Sequence, residues 1–208
     1  MKIKAIIFDM DGVLIDARDW HYESLNKALA LFGSEITRYD HLVTFDGLPT
    51  KKKLEMLSLE GGLPLKLHEF INDLKQEYTW EIVYSKCKPV FHHRYALSML
   101  KSEGFILAVC SNSVRKTIEL MMERAGLLNY LDFFLSNQDV QKGKPDPEIY
   151  NKAIERLGLL PHECLIVEDN QNGIKAALAS GAHLLKVNNP DDVTYQNITR
   201  RIKEIENA

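Results

Sequence analysis

Three short apolar runs in this chain each end in a cluster of polar and acidic residues. The runs cover residues 4–8, 105–110 and 164–167. Runs of this length and character suit strands that are buried in a parallel sheet. Segments with helical periodicity lie between and after the runs, and several of them end at a glycine, the usual helix stop. The alternation predicts an α/β fold with a doubly wound, mainly parallel, Rossmann-like sheet.

One segment breaks this alternation. Residues 17–84 show helical periodicity at 20–31, 51–57 and 67–78, with no convincing strand. We therefore predict a small helical cap domain at 17–84, inserted after the first strand into an α/β core formed by residues 1–16 and 85–208. Within that core we predict helices at 95–103, 115–125, 147–157, 171–180 and 195–206, and a further strand at 183–187.

The polar clusters lie where a sheet of this kind binds its ligands, beyond the carboxyl ends of the strands. Asp9 and Asp11 follow the first run, and residues two apart in extended chain project to the same side. Gly12 then allows a sharp turn. The pair Glu168 and Asp169 follows a later run and adds further carboxylates. Hard oxygen ligands of this kind suit Mg²⁺ better than zinc or copper.

The same strand ends also offer what a phosphoryl group needs. A phosphoryl group in transfer spreads negative charge over three oxygens, so it requires a cation, a positive side chain and hydrogen-bond donors. Ser111 supplies a hydroxyl ahead of a helix, and Lys144 supplies a charge from a proline-flanked loop. Asp9 and Asp11 would divide two roles, that of nucleophile and that of proton shuttle.

The four segments resemble, in order and spacing, the four motifs of the haloacid dehalogenase superfamily. The first is DMDGVLID at residues 9–16, the second is Ser111 after FILAVC, the third is Lys144 in KGKPDP, and the fourth lies in LIVEDNQNGIKAA. The resemblance implies that Asp9 is the nucleophile and Asp11 the general acid and base. Ser111 and Lys144 would bind the phosphate, with Asn112 beside them.

The resemblance also implies the metal ligands. Asp169 would bind Mg²⁺ together with the carboxylate of Asp9 and the backbone carbonyl of Asp11. Glu168 would bind the metal or support it from behind.

Within the superfamily the chain looks most similar to the β-phosphoglucomutase and phosphoglycolate phosphatase branch. His21 matches a hinge histidine of the mutase, Gly47 and Lys51 lie in a segment similar to the substrate-specificity loop, and Lys75 lies near a substrate-binding lysine. The chain departs from the mutase pattern in two places. Thr50 or Lys51 stands where the mutase has an arginine, and Lys75 matches only after a shift of one residue.

Composition narrows the class of partner. A net charge of −3 argues against nucleic-acid binding, which requires clustered positive charge. The three cysteines are too widely spaced for a zinc site and favour no disulfide framework. No apolar stretch approaches the ~18 residues of a membrane span. We expect a cytoplasmic monomer that acts on a small phosphorylated metabolite.

Three functions follow from these observations. The leading one is a phosphatase for a small sugar or organic phosphate, in which water attacks an aspartyl-phosphate. The second is a phosphosugar mutase, in which a sugar hydroxyl takes the place of water. The third is a non-catalytic phospho-acceptor regulator. A dinucleotide-dependent oxidoreductase is disfavoured because the chain has neither GxGxxG nor GxxxxGK[ST].

Overall fold

The computed structural model describes residues 2–45 and 47–207, and the chain divides into two compact units. One unit combines Met1–Asp16 with Lys88–Ala208, and the other is Ala17–Cys87. The sequence interpretation placed the second boundary after residue 84. The structure places it later because a long helix continues to Lys86, and Cys87 beyond it is buried.

Within the described residues of the first unit, five parallel strands form one sheet in the order β3-β2-β1-β4-β5. The strands are β1 Ala5–Phe8, β2 Ile106–Cys110, β3 Phe133–Leu135, β4 Cys164–Glu168 and β5 His183–Lys186. The strands β2 and β3 lie on one side of β1, and β4 and β5 lie on its other side. This doubly wound order confirms the predicted fold class and creates a topological switch point between β1 and β4.

Most helices begin and end within about four residues of their predicted positions, but the helix predicted at 67–78 continues to Lys86. The helices are α1 Arg18–Ala30, α2 Arg38–Asp40, α3 Thr50–Gly61, α4 His68–Lys86, α5 Phe91–Ser102, α6 Arg115–Arg124, α7 Glu148–Leu157, α8 Gln171–Ala179 and α9 Tyr195–Glu206. A π-helical turn, His41–Phe45, continues from α2. None of the helices in the described part of the chain has the length and apolar character needed to cross a membrane.

The apolar character of β1 follows from its central position. Ile7 pairs with Ala108 of β2 on one side and with Ile166 of β4 on the other. These side chains form one core with residues of α7 and α8. The alternate side chains of β1, such as Ile6, point to the opposite face and are equally buried. Both faces of the sheet are therefore covered, and the removal of this apolar surface from water stabilises the unit.

The helical unit has its own apolar core. Helices α1 and α4 pack together, and α3 packs against α4. The buried residues of this core include Leu25, Leu29, Leu54 and Ile71. Gly62 follows the last residue of α3, and its φ of 71° lies in the left-handed region that favours glycine.

The sequence interpretation missed one strand. Phe133–Leu135 is three residues long and pairs with β2 at the edge of the sheet. A run this short carries no readable periodicity, and its phenylalanines are only partly buried.

Candidate active site

Asp9 lies at the switch point of the sheet, directly after β1. Its backbone N–H donates to the carbonyl of Val167 in β4, at 3.0 Å, so the carboxylate begins from a fixed position. The chain then turns sharply, because the carbonyl of Met10 accepts hydrogen bonds from the backbone N–H groups of residues 13–15. Gly12 has a φ of 85°, and a Cβ atom there would lie 2.1 Å from Oδ2 of Asp169. Glycine at this position therefore lets the loop after β1 approach the loop after β4.

Lys144 reaches this point from the loop before α7. Its Nζ atom donates to Oδ1 of Asp9 at 2.6 Å, to Oε1 of Glu168 at 2.7 Å and to the carbonyl of Cys110 at 2.8 Å. An ammonium group has three donors, and all three are used. The side chain is 4% exposed, so little water competes for these contacts. Lys144 is therefore a fixed positive charge joined to two carboxylates.

The loop that carries Lys144 is itself held by side chains. Asn112 brackets the residue, because its Oδ1 accepts the backbone N–H of Lys144 at 3.0 Å and its Nδ2 donates to the carbonyl at 3.3 Å. The carboxylate of Glu148 accepts the backbone N–H groups of Gln141 and Lys142. The amide of Asn112, predicted to lie at the phosphate, is engaged with this loop.

Three carboxylates form an acidic group at the same end of the sheet. Asp9, Glu168 and Asp169 each present an oxygen within 4.8 Å of the others. Glu168 is almost fully buried, and its Oε1 also accepts a hydrogen bond of 2.6 Å from the hydroxyl of Tyr150. Gly173 of α8 leaves space for that carboxylate, since a Cβ there would lie 1.8 Å from Oε1.

The electrostatics of this group favour a cation. Burial raises the pKa of Asp9 well above its usual value; the charge of Lys144 opposes this, and the carboxylates of Glu168 and Asp11 add to it. Burial alone would lower the pKa of Lys144, but the charges of Asp9 and Glu168 outweigh it and raise that pKa. Asp9, Glu168 and Asp169 offer three carboxylates beside the one ammonium group of Lys144. A group of carboxylate oxygens with this imbalance fits a hard divalent cation such as Mg²⁺.

Ser111 and Asp11 complete the set predicted in the core. Ser111 is buried at the end of β2, and its Oγ accepts the backbone N–H of Ser113 at 3.1 Å. The hydroxyl of Ser113 donates to Oδ2 of Asp11 at 3.0 Å. The structure therefore brings the core candidates of all four motifs to one end of the sheet.

Four of the predicted site residues belong to the helical unit. His21 of α1 and Lys75 of α4 meet, with Nδ1 and Nζ 3.2 Å apart, and Lys75 is buried. Lys51 is exposed in the first turn of α3. Gly47 lies in the turn before that helix, with a φ of 70°. The structure thus pairs two of these four residues.

Three residues of the site were missed in the sequence. Tyr150 was read only as part of a helix, although it lies six residues after Lys144. Ser113 was overlooked beside Ser111, and Gly173 was overlooked within a helical pattern. The one available signal was Gly173, because glycine inside a helix costs about 1 kcal/mol and so marks a packing constraint.

The fold and these residues define a class of protein. The chain matches the haloacid dehalogenase-like hydrolase family over residues 6–187, and it belongs to that family. The resemblance inferred from the four motifs is thereby confirmed. The chain is an enzyme of this hydrolase family, which argues against the non-catalytic regulator.

Two relatives of similar length carry phosphatase names. The phosphorylated carbohydrates phosphatase of Thermotoga maritima is 29% identical over 187 residues, which cover 86% of this chain and 82% of that protein. The phosphoglycolate phosphatase of Nitrosospira multiformis is 30% identical over 194 residues, covering 90% and 84%. The crystal structure of β-phosphoglucomutase from Clostridium difficile matches with a TM-score of 0.85, at 20% identity, over 99% of this chain and 100% of that one. This last likeness shows the fold alone.

Proposed function

We propose that the protein is a Mg²⁺-dependent phosphatase that hydrolyses a small sugar or organic phosphate monoester through an aspartyl-phosphate on Asp9. The observation that carries the proposal is the position of Asp9. Its carboxylate lies at the switch point, bonded to the buried Lys144 and within 4.8 Å of Glu168 and Asp169. The names of the relatives in Thermotoga maritima and Nitrosospira multiformis support a small phosphorylated substrate.

The first step transfers the phosphoryl group to the protein. A carboxylate oxygen of Asp9 attacks phosphorus, and the bond from phosphorus to the alcohol oxygen breaks. The carboxyl group of Asp11 gives its proton to the departing oxygen, so that a neutral alcohol leaves. The ammonium of Lys144 and the hydroxyl of Ser111 stabilise the negative charge on the phosphoryl oxygens.

The second step releases phosphate. The carboxylate of Asp11 takes a proton from a water molecule, and the oxygen of that water attacks phosphorus. The bond between phosphorus and the Asp9 oxygen breaks, which restores the free carboxylate. Because the side chain of Asn112 holds the Lys144 loop, we assign its contribution to phosphate binding to its backbone N–H.

The ligands proposed for Mg²⁺ are the carboxylates of Asp9 and Asp169 and the backbone carbonyl of Asp11. A bound Mg²⁺ would neutralise charge on the phosphate. Glu168 supports this group from behind, since its Oε1 is already shared by Lys144 and Tyr150. Its charge keeps Lys144 protonated and aimed at Asp9.

A phosphosugar mutase is the second candidate. The contact between His21 and Lys75 favours it, because the resemblance gives both residues roles in a mutase. We propose that these two residues, with Gly47 and Lys51, contact the part of the substrate beyond the phosphate. In a mutase the same aspartyl-phosphate would be attacked by a sugar hydroxyl, and free phosphate would be a minor product.

A screen of phosphorylated metabolites tests the proposal. Phosphate release is measured with Mg²⁺ and with EDTA, and glucose 6-phosphate formation is measured from β-glucose 1-phosphate. Release that requires Mg²⁺ supports a phosphatase, whereas glucose 6-phosphate with little free phosphate supports a mutase. If neither signal appears with any substrate of the screen, both functions are refuted.

The role of Asp9 is tested by Asp9→Asn. We expect this variant to fold normally and to lose at least ~10³-fold in turnover, as when a covalent nucleophile is removed. Asp16→Asn is the matched control, because Asp16 belongs to the same motif and is exposed. Retained activity in Asp9→Asn would contradict the assignment. We further propose that the protein is a cytoplasmic monomer. Gel filtration tests the monomeric state.

A further inference from the structure

Ser113 contacts the side chain that the proposed function makes the proton carrier. Its hydroxyl donates a hydrogen bond to Oδ2 of Asp11, with the two oxygens 3.0 Å apart. The two residues are 102 positions apart, so the contact depends on the fold. We propose that Ser113 is a positioning residue that determines which oxygen of Asp11 carries the transferred proton. This inference rests on the proposed function.

The hydroxyl of Ser113 is held in place by its own backbone. The N–H of Ser113 donates to Oγ of the buried Ser111 at 3.1 Å. The carbonyl of Ser113 accepts the N–H of Asn137 at 3.2 Å. Ser111 follows β2 and Asn137 follows β3, so the residue is anchored at the ends of two strands. Its hydroxyl therefore presents a donor at a fixed position to the loop after β1.

A donor at this position distinguishes the two oxygens of Asp11. A protonated carboxyl group has one oxygen that donates and one that only accepts. Because Oδ2 accepts from Ser113, the proton belongs on Oδ1. In the first step that proton passes from Oδ1 to the departing alcohol oxygen, and in the second step Oδ1 takes a proton from water. The serine thus keeps one oxygen in the same role through both steps.

The loss of this contact has a specific consequence. Without the hydroxyl, the carboxyl group turns about its Cβ–Cγ bond and the proton is shared between both oxygens. General acid catalysis contributes about 10²–10⁴-fold, and a misplacement of ~1 Å removes ~10²-fold of a positioned contribution. In the first step, which kcat/KM reports, the penalty falls only on substrates whose leaving group needs a proton. The second step is common to all substrates, so its penalty lowers kcat for each of them.

The test compares two classes of substrate. For Ser113→Ala, kcat/KM is measured with an alkyl phosphate found in the screen and with 4-nitrophenyl phosphate, whose leaving group departs without protonation. We expect kcat/KM to fall about 10–100-fold for the alkyl ester and less than about 3-fold for the aryl ester. Ser113→Thr keeps the hydroxyl and should restore the alkyl activity. An equal loss for both substrates, or no loss, would overturn the inference.

The variant Asp11→Asn distinguishes a failure of the role of Ser113 from a failure of the proposed role of Asp11. If Asp11→Asn shows the same preference for the aryl ester and Ser113→Ala does not, the role of Ser113 is wrong and that of Asp11 stands. If Asp11→Asn shows no such preference, the proposed role of Asp11 fails. In the Asp11→Asn background, Ser113→Ala should cause no further loss of alkyl activity.

Two controls protect the comparison against damage to the fold. Ser102→Ala removes an exposed serine hydroxyl from α5 of the same unit and should leave both activities unchanged. Ser113→Cys replaces the hydroxyl with a weak donor of similar shape. If Ser113→Ala does not fold, Ser113→Cys carries the same expectation, and equal loss on both substrates would again contradict it.

Discussion

Replacement of Tyr150 by phenylalanine removes a single oxygen from the buried charge network. That oxygen donates to Oε1 of Glu168 at 2.6 Å, and the same Oε1 accepts Nζ of Lys144 at 2.7 Å. Nζ also lies 4.7 Å from the centre of the Tyr150 ring. Burial, and then the charges of Glu168 and Asp9, raise the pKa of Tyr150 well above its usual value, so the hydroxyl stays neutral and donates. The ring of phenylalanine keeps the packing.

The expected cost follows from the charge of the acceptor. A hydrogen bond to a charged group contributes about 1.5–3 kcal/mol to stability, against about 0.5–1.5 kcal/mol for one between neutral groups. For a chain of 208 residues, a loss of about 1.5–3 kcal/mol corresponds to a fall of about 3–7 °C in Tm. Glu168 also loses one of the contacts that aim it at Lys144. We therefore expect Tyr150→Phe to lower the proposed phosphatase activity less than Asp9→Asn does.

Urea unfolding of four proteins measures this cost: the wild type, Tyr150→Phe, Glu168→Gln and the double variant. Tyr150→Phe should cost about 1.5–3 kcal/mol beside Glu168 and about 0.5–1.5 kcal/mol beside glutamine. Tyr39→Phe is the matched control, because Tyr39 is 71% exposed and should change stability by less than about 0.5 kcal/mol. A cost that is equal in both backgrounds would refute the role of the charge. No cost at all would refute the hydrogen bond itself.

Three further predictions concern the same unit. Gly173→Ala should destabilise the protein by about 2 kcal/mol or more, because the new Cβ would displace Glu168. Breaking a buried ion pair costs about 3–5 kcal/mol, whereas the higher helix propensity of alanine returns about 1 kcal/mol. Gly61→Ala, where a Cβ meets nothing within 4 Å, is its control, and stability equal to the wild type in Gly173→Ala would contradict the prediction. Hydrogen bonds from the loop before Lys144 lower the pKa of Glu148 to about 2, so its stabilisation is present above its unfolded value near 4.5 and lost as pH falls through 2. The stability difference between wild type and Glu148→Gln should therefore shrink in acid urea melts, and a constant difference would contradict it. Mg²⁺ at ~100 times its dissociation constant should stabilise the protein by about 2.7 kcal/mol, and Asp169→Asn should abolish this shift in Tm; a shift that survives the substitution would place the metal elsewhere.

Much of the fold could be predicted because the burial of an element determines the apolar residues of its own segment. The β1 strand reads as a continuous apolar run because both of its neighbours and both faces of the sheet exclude water. The edge strand Phe133–Leu135 has one neighbour and partly exposed side chains, so no such run marks it. The helix predicted at 67–78 continues to Lys86 as α4, and its missed part carries the buried Thr79 and Val83.

The residues of the site also divide into those that could be predicted from the sequence and those that could not. Asp9, Lys144 and Asp169 stand next to strand ends or within motifs, so their convergence follows from the topology of a parallel sheet. The contacts of Ser113 and Tyr150 depend on how loops and a helix pack. Tyr150 reaches Glu168 only because α7 packs against the sheet, and no local pattern distinguishes it from another buried tyrosine.

The covalent step proposed for Asp9 can be tested directly. The protein is mixed with a substrate that carries phosphorus-32, quenched in acid within one turnover, reduced with borohydride and mapped by peptide mass spectrometry. Our account predicts acid-stable radioactivity on the protein before turnover is complete, and homoserine at position 9 after reduction. Homoserine at position 11, or phosphate release with no labelled protein at any time, would contradict it.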